Sequence, residues 1–228
     1  MLRFVNVYKK YDSGTLALNN VNFELSSGEF VFLIGTSGSG KSTLLELILK
    51  EEVPTSGEIY FKDLKLKDLD RKGIQKIRRQ LGVVFQDFRL LPNKTAYENV
   101  AYAMEVVGAS ERKIKRDVPL VLSLVGLGDK SDSYPDELSG GEQQRIAIAR
   151  AIVNKPDLII ADEPTGNLDP ENSRDIIRLF ERINEQGTTV LIATHEKNIV
   201  NEMGKRVIEI NEGRIVRDQE KGYYSDEN

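Results

Sequence analysis

Four short runs in the chain are apolar at nearly every position: FVFLI (30–34), GVVF (82–85), LIIA (158–161) and VLIAT (190–194). A strand with water on one side alternates apolar and polar residues; a strand that is apolar throughout needs cover on both faces. Between these runs the apolar residues recur at helical spacing, in KSTLLELILK (41–50), GEQQRIAIARAIV (141–153) and SRDIIRLFERINEQG (173–187). Strand, helix and strand in alternation predict an α/β fold with a mainly parallel core. Three other segments, LRFVNVYKKY (2–11), LALNNVNFELSSGE (16–29) and SGEIYFKD (56–63), alternate cleanly and predict a small antiparallel sheet. KRVIEINEGRIVRD (205–218) reads as a closing hairpin that turns at Asn211, Glu212 and Gly213, apart from the parallel core.

From 88 to 155 the pattern is almost wholly helical, as in TAYENVAYAMEVVG and SERKIKRDVPLVLSLVGLG. The expected organisation is one domain: core and antiparallel sheet in 1–87 and 156–218, a helical subdomain in 88–155, and a polar tail in 219–228 that frays.

Composition narrows the chemistry. With 228 residues, 39% of them hydrophobic, the chain buries a full core. A net charge of −4 argues against electrostatic binding of nucleic acid, and none is expected as a partner. The absence of cysteine excludes disulfides, thiol catalysis and cysteine-bound zinc; a single histidine excludes a multi-histidine metal site. The N-terminus lacks the apolar segment of a secretion signal, and no window has the length of a membrane span. The expected location is cytoplasmic, with any membrane role exerted through a partner.

Against that background FVFLIGTSGSGKSTLLELIL stands out: an apolar strand, then G-x-x-x-x-G-K-S, then a helix. Gly35, Gly38 and Gly40 let the backbone curl around Thr36, Ser37 and Ser39, so that successive N–H groups point at phosphate oxygens. The helix N-terminus adds partial positive charge, Lys41 a fixed cation, and Ser42, followed by Thr43, a hydroxyl for magnesium. In PDLIIADEPTGNLD another apolar strand ends in Asp162 and Glu163. Ligands of open parallel sheets bind at the carboxyl ends of strands, so Asp162 suits the metal's water shell and Glu163 a general base toward water. His195 ends a third such strand, where its imidazole is placed to bond a terminal phosphate. Gln86, just past GVVF, is placed to touch metal or water and to pass movement to the helical segment.

LSGGEQQ (138–144) is a second glycine-rich helix start. Ser139 as an ordinary N-cap accounts for the serine but not for Gly140 and Gly141 where better helix formers were available. Ser139, Gly140, Gly141 and Glu142 together make a second anion cradle, and spacing alone does not say whose phosphate it meets.

The phosphate loop, LSGGEQQR, LIIADEP, GNLD and the strand-end His195 occur in the order found in ATP-binding cassette ATPases, which the chain resembles to about residue 217. The resemblance implies a P-loop NTPase fold, ATP and Mg2+ as ligands, and hydrolysis by direct attack of water. It implies a homodimer formed with ATP, two copies head to tail, each laying Ser139–Glu142 on the nucleotide held by the other. Tyr11 resembles the aromatic that stacks on adenine, with Tyr8 a neighbouring alternative, and Asp169 resembles the residue that connects the two sites. Gln86, Ser42 and Asp162 match the metal positions; Glu163, His195, Gln86 and Lys41 match the catalytic ones. The segment after Gln86, FQDFRLLPNKTAYENVAYAMEVVGAS, resembles subunits that serve an integral membrane partner, docking near 86–110, in the control of cell-wall hydrolases during division. Lipoprotein-releasing and macrolide-exporting ATPases share TSGEIYFKD and DEPTGNLDP and are the alternative. Soluble ribosome- or DNA-acting cassettes and phosphoryl-transfer kinases fit less well: the first often carry two cassettes, the second have no use for LSGGEQQ.

Overall fold

The computed structural model describes residues 1–222. Ten strands and seven α-helices alternate along them: β1 (Leu2–Lys10), β2 (Leu16–Leu25), β3 (Phe30–Ile34), α1 (Lys41–Ile48), β4 (Ser56–Phe61), β5 (Leu64–Lys65), α2 (Arg71–Arg78), β6 (Leu81–Val84), α3 (Ala96–Val106), α4 (Glu111–Leu124), α5 (Gly140–Ile152), β7 (Leu158–Asp162), α6 (Pro170–Glu185), β8 (Thr189–Thr194), α7 (Lys197–Met203), β9 (Arg206–Asn211) and β10 (Arg214–Gln219). One sheet is four-stranded and antiparallel, in the order β2-β1-β4-β5. The other has six strands in the order β10-β9-β3-β8-β7-β6, parallel from β9 through β6.

The all-apolar strands are explained by what covers them. Along β3, Phe30, Phe32 and Ile34 face one hydrophobic cluster while Val31 and Leu33 face another. The same alternation divides Ile159 and Ala161 from Leu158 and Ile160 on β7, and Val190 and Ile192 from Leu191 and Ala193 on β8. The first cluster gathers α3 to α7 on one side of the sheet; the second gathers α1, α2 and the antiparallel sheet on the other. Each fully buried side chain of this size contributes about 1.5–3 kcal/mol. Val100, Val118 and Ile148 of the helical segment lie in the same cluster as Phe30 and Phe32, so α3, α4 and α5 share the sheet's core.

Several expectations need correction. The C-terminal hairpin is not apart from the core: β9 pairs with β3 in parallel, and β10 closes the sheet's edge. Val207, Ile208 and Ile210 are wholly buried, which the hairpin's alternating sequence with its charged edge strand concealed. The polar tail does not begin to fray at 219. Gln219 pairs with Val207, Asp218 takes two hydrogen bonds from the Arg206 guanidinium, and Gly222 N–H donates to the Lys205 carbonyl. The rest of that expected tail, 223–228, lies outside the described residues. Helices α2 and α7 are additional to those read from periodicity; both are a mere two turns and largely polar, too short for a convincing repeat.

Candidate active site

Strand register places the site. Ile34 of β3 lies beside Thr194 of β8, Asp162 of β7 beside Ala193, and Val84 of β6 beside Ala161. The residues that follow these strand ends, from Gly35, Gln86, Glu163 and His195 onward, therefore gather on one edge of the sheet. With Gly35 and Ser39 behind them, residues 36–38 and 40–43, together with Gln86, Asp162, Glu163, His195 and Tyr11, line a cleft of about 1030 Å³. That is ample for a nucleotide, since ligand pockets span roughly 300–1,000 Å³.

The phosphate loop is held from outside as well as by its own turns. Gly213 N–H donates to the Ser39 carbonyl (2.9 Å), and the Gly213 carbonyl accepts from Asn19 N–H (2.8 Å). Gly40, with φ of 112°, passes so close to β2 that a Cβ there would lie 2.7 Å from the Ala17 carbonyl oxygen. Only glycine suits both the conformation and the approach.

Lys41 is buried and donates from Nζ to the carbonyls of Gly35 (2.7 Å) and Thr36 (3.1 Å). Glu163 Oε1 stands 3.9 Å from the same ammonium. Glu163 Oε2 lies 2.9 Å from His195 Nδ1 and accepts from His195 N–H at 3.3 Å. Glu163 adopts a left-handed conformation (φ 46°), pinned by its own N–H to the Ala193 carbonyl at 2.9 Å. Such a backbone in a non-glycine residue costs energy and tends to mark functional positions. Burial, reinforced by the neighbouring Glu163 charge, pushes the Asp162 carboxyl above its usual range, while Lys41 and a hydrogen bond with Ser42 work the other way.

Gln86 faces the turn after Glu163. Its carbonyl accepts from Asn167 Nδ2 at 3.0 Å, and its Nε2 lies 3.5 Å from Asn167 Oδ1. Tyr11 sits in the β1–β2 turn, closed by Tyr11 N–H to the Thr15 carbonyl. Its hydroxyl is within 3.1 Å of both Thr43 Oγ1 and Glu46 Oε2, and the Lys9 ammonium lies 4.9 Å from the ring centre. Burial, then Glu46, raises the phenol above its ordinary value, though the Thr43 hydrogen bond opposes. Tyr8 does not line the cleft.

Among the described residues, Ser139, Gly140, Gly141 and Glu142 are absent from the cleft's lining. Ser139 caps α5 in a reciprocal box: its hydroxyl accepts from Glu142 N–H, and Glu142 Oε2 accepts from Ser139 N–H (2.9 Å) and Oγ–H (2.7 Å). These contacts hold the Glu142 carboxyl below its usual range. Capping leaves Gly140 and Gly141 unexplained, but packing against α6 accounts for Gly141. A Cβ on Gly141 would lie 2.6 Å from Asn172 Oδ1, so any larger residue there must displace the Asn172 amide from its bond to Asp169. At Gly140 the nearest atom is Leu168 Cδ2, at 3.4 Å. Asp169 caps α6, accepting from the N–H groups of Glu171 and Asn172 and from Asn172 Nδ2.

Sequence reasoning missed other lining residues, among them Thr15, Leu16, Ala17, Lys197 and Glu212. They lie at the start of β2, in turns or at the start of a short helix and carry no motif; only the register of the two sheets brings them to the cleft.

A parallel sheet whose strand ends collect a phosphate loop, a paired acid and a histidine defines a phosphate-loop nucleotide hydrolase. The chain belongs to the ABC transporter family, whose model matches residues 18–166, and its activity is ATP hydrolysis. It is 56% identical over 219 residues to the cell division ATP-binding protein FtsE of Streptococcus pneumoniae, covering 96% of this chain and 95% of that one. It is 52% identical to the protein of the same name from Bacillus subtilis, covering 98% of each. Among solved structures it resembles the dimeric post-hydrolysis state of the ATP-binding cassette MJ0796 bound to ADP and Pi, with a TM-score of 0.87, 39% identity, and coverage of 98% of this chain and 100% of that one.

Proposed function

We propose that the chain is the ATPase subunit of a complex of the FtsE–FtsX kind, working at the inner face of the cell membrane in cell division. Two copies close head to tail around two ATP molecules, and an integral membrane partner resembling FtsX converts closure and opening into control of cell-wall hydrolases. The relatives' name supports the division role. The observation that carries the dimer is the exposed Ser139 turn: an anion-ready helix start standing outside its own chain's cleft. A neighbour's triphosphate gives it something to bind.

In the cleft, the loop from Gly35 to Thr43 cradles the phosphates, Lys41 turns its ammonium to the outer ones, and Tyr11 offers its ring to adenine. The donor set fits Mg2+: the Ser42 hydroxyl bonded to the half-buried Asp162, with the neutral Gln86 amide on the same cleft. When bound, the ion would neutralise charge between the phosphates. Glu163 takes a proton as water attacks the γ-phosphorus, the bond to the ADP oxygen breaks, and phosphate leaves. His195, 2.9 Å from Glu163 Oε2, holds that carboxylate and faces the terminal phosphate.

The membrane partner docks near 86–110. A groove of about 390 Å³ opens there between α2–β6 and α3–α5, with Val106 63% exposed at its lip and Arg78 and Arg79 opposite. An amphipathic segment with an acidic edge suits it. No helix among the described residues is long and apolar enough to cross a membrane, so anchoring falls to the partner.

The test is Ser139→Arg, with ATP binding and ATP-dependent dimerisation measured together. Binding retained and dimerisation lost is the expected result; normal dimerisation would sink the shared-site reading.

A further inference from the structure

Just beyond Gln86 the backbone does something found nowhere else among the described residues. Phe88 (φ 57°) and Arg89 (φ 48°) are consecutive non-glycine residues in the left-handed region. Neither has the short polar side chain that eases that conformation. Locally the turn is held by Phe88 N–H to the Phe85 carbonyl at 3.3 Å, Arg89 N–H to the Asp87 carbonyl at 2.6 Å, Arg89 Nε–H to Asp87 Oδ1 at 3.2 Å and the Arg89 guanidinium 3.7 Å from the Phe85 ring centre. A second hold comes from α5. The Arg150 guanidinium reaches across and donates Nη2–H to the Phe88 carbonyl (2.8 Å) and Nη1–H to the Arg89 carbonyl.

We propose that Arg150 is a positioning residue for ATP hydrolysis: its forked guanidinium clamps the strained Phe88–Arg89 turn and so fixes where Gln86 stands in the cleft. The proposal rests on the reading of Gln86 as a ligand of metal or water.

Three observations converge on it. The clamp spends a largely desolvated arginine on two backbone carbonyls with no carboxylate partner in the described residues; burial, then Arg89, lowers its pKa. A lysine would lack the planar fork that serves two acceptors at once. The turn also lies beside the second glycine motif, where a Cβ added at Gly140 would lie 3.9 Å from Phe88 Cζ. Gln86 is thus fastened on both sides, by Asn167 at its amide and carbonyl and by the clamped turn that begins two residues on. Backbone strain persists where its surroundings over-determine it, and such places cluster at functional sites. Released, the turn relaxes toward ordinary φ and carries Gln86 with it.

The experiment compares steady-state ATP hydrolysis and thermal unfolding for Gln86→Ala, Arg150→Lys, Arg89→Gly and the Arg150→Lys/Arg89→Gly pair. Arg150→Lys is expected to lower kcat by about 10- to 100-fold, the cost of a small misplacement at a reacting centre, with KM for ATP within twofold. Glycine at 89 removes the Arg89 share of the strain the clamp opposes, so the pair should recover part of the lost kcat. A role confined to stability would move the unfolding midpoint and show no such split or recovery. Should Arg150→Lys fold poorly, Arg89→Val, which raises the strain without touching the buried charge, should lower kcat in a well-folded protein. Wild-type kcat in Arg150→Lys beside a defective Gln86→Ala would overturn the clamp alone. So would a loss that Arg89→Gly leaves unrepaired. Unchanged turnover in Gln86→Ala would overturn the reading of Gln86 and the proposal with it.

Discussion

Glu163 has a positive or polar group at each oxygen: the Lys41 ammonium 3.9 Å from one and the His195 imidazole 2.9 Å from the other. Those contacts aim the carboxylate, and its left-handed backbone fixes where it starts from. Glu163→Gln keeps shape and hydrogen bonding to His195 but removes the basic oxygen. Turnover should fall by about 10²- to 10⁴-fold, the usual worth of a general base, while ATP affinity is kept. Phosphate release and nucleotide binding on the same preparation check this; near wild-type release would remove Glu163 from the role. The left-handed φ and the His195 contact were invisible in the sequence, because nothing in ADEP specifies a backbone angle. The acid pair itself was visible only in company: two carboxylates ending a strand can simply cap it in solvent, and the phosphate loop elsewhere in the chain is what gave them a role.

At the scale of elements, α5 begins with two glycines that answer to different constraints. Alanine at 140 gains up to about 1 kcal/mol of helix propensity and meets nothing closer than 3.4 Å. Alanine at 141 would drive a methyl to 2.6 Å from Asn172 Oδ1, and overpacking of that kind costs about 1–3 kcal/mol. Thermal unfolding should therefore single out Gly141→Ala, with Gly140→Ala near or above the wild type. The caps of α5 and α6 predict an acid response. Hydrogen bonds from Asn172 lower the Asp169 carboxyl, and those from Ser139 lower Glu142. Because both folded values lie below the unfolded ones, near pH 4, their contribution is complete above that pH and fades as pH falls through the folded values. Asp169→Asn should flatten the stability profile below about pH 4 and leave its slope near pH 7 unchanged; an unchanged acid limb would contradict the capping account. Strands β3, β7 and β8 were legible because burial on both faces writes itself as an unbroken apolar run. Strand β9 was legible as half of a hairpin but not as a member of the parallel core, because RVIEIN carries charge at Arg206 and Glu209 while its apolar residues alone enter the core. The phosphate loop was legible for its chemistry, and Gly141 was misread because a packing contact thirty-one residues away leaves no local mark.

For the whole molecule, the separation of Ser139 from its own cleft makes the single chain an incomplete enzyme in the proposed reading. Glu163→Gln should then accumulate as an ATP-bound dimer that falls apart when nucleotide is removed, readable by size-exclusion chromatography with light scattering. A second measurement addresses the groove. Val106→Glu puts a charge on its most exposed apolar lip and should abolish co-purification with the membrane partner while leaving basal ATP hydrolysis unchanged. Retained co-purification would move the docking site elsewhere.

The contact between Gly213 and the phosphate loop also has a bearing on how the protein is born. Ser39 and Asn19 leave the ribosome early, but the residue that ties them together comes only with the turn between β9 and β10. At about 5–20 residues per second, the nascent loop waits roughly ten seconds or more for its fastener. Until then the growing polypeptide holds its phosphate-gripping sequence without the brace that shapes it, so nucleotide capture waits on synthesis of the β9–β10 turn.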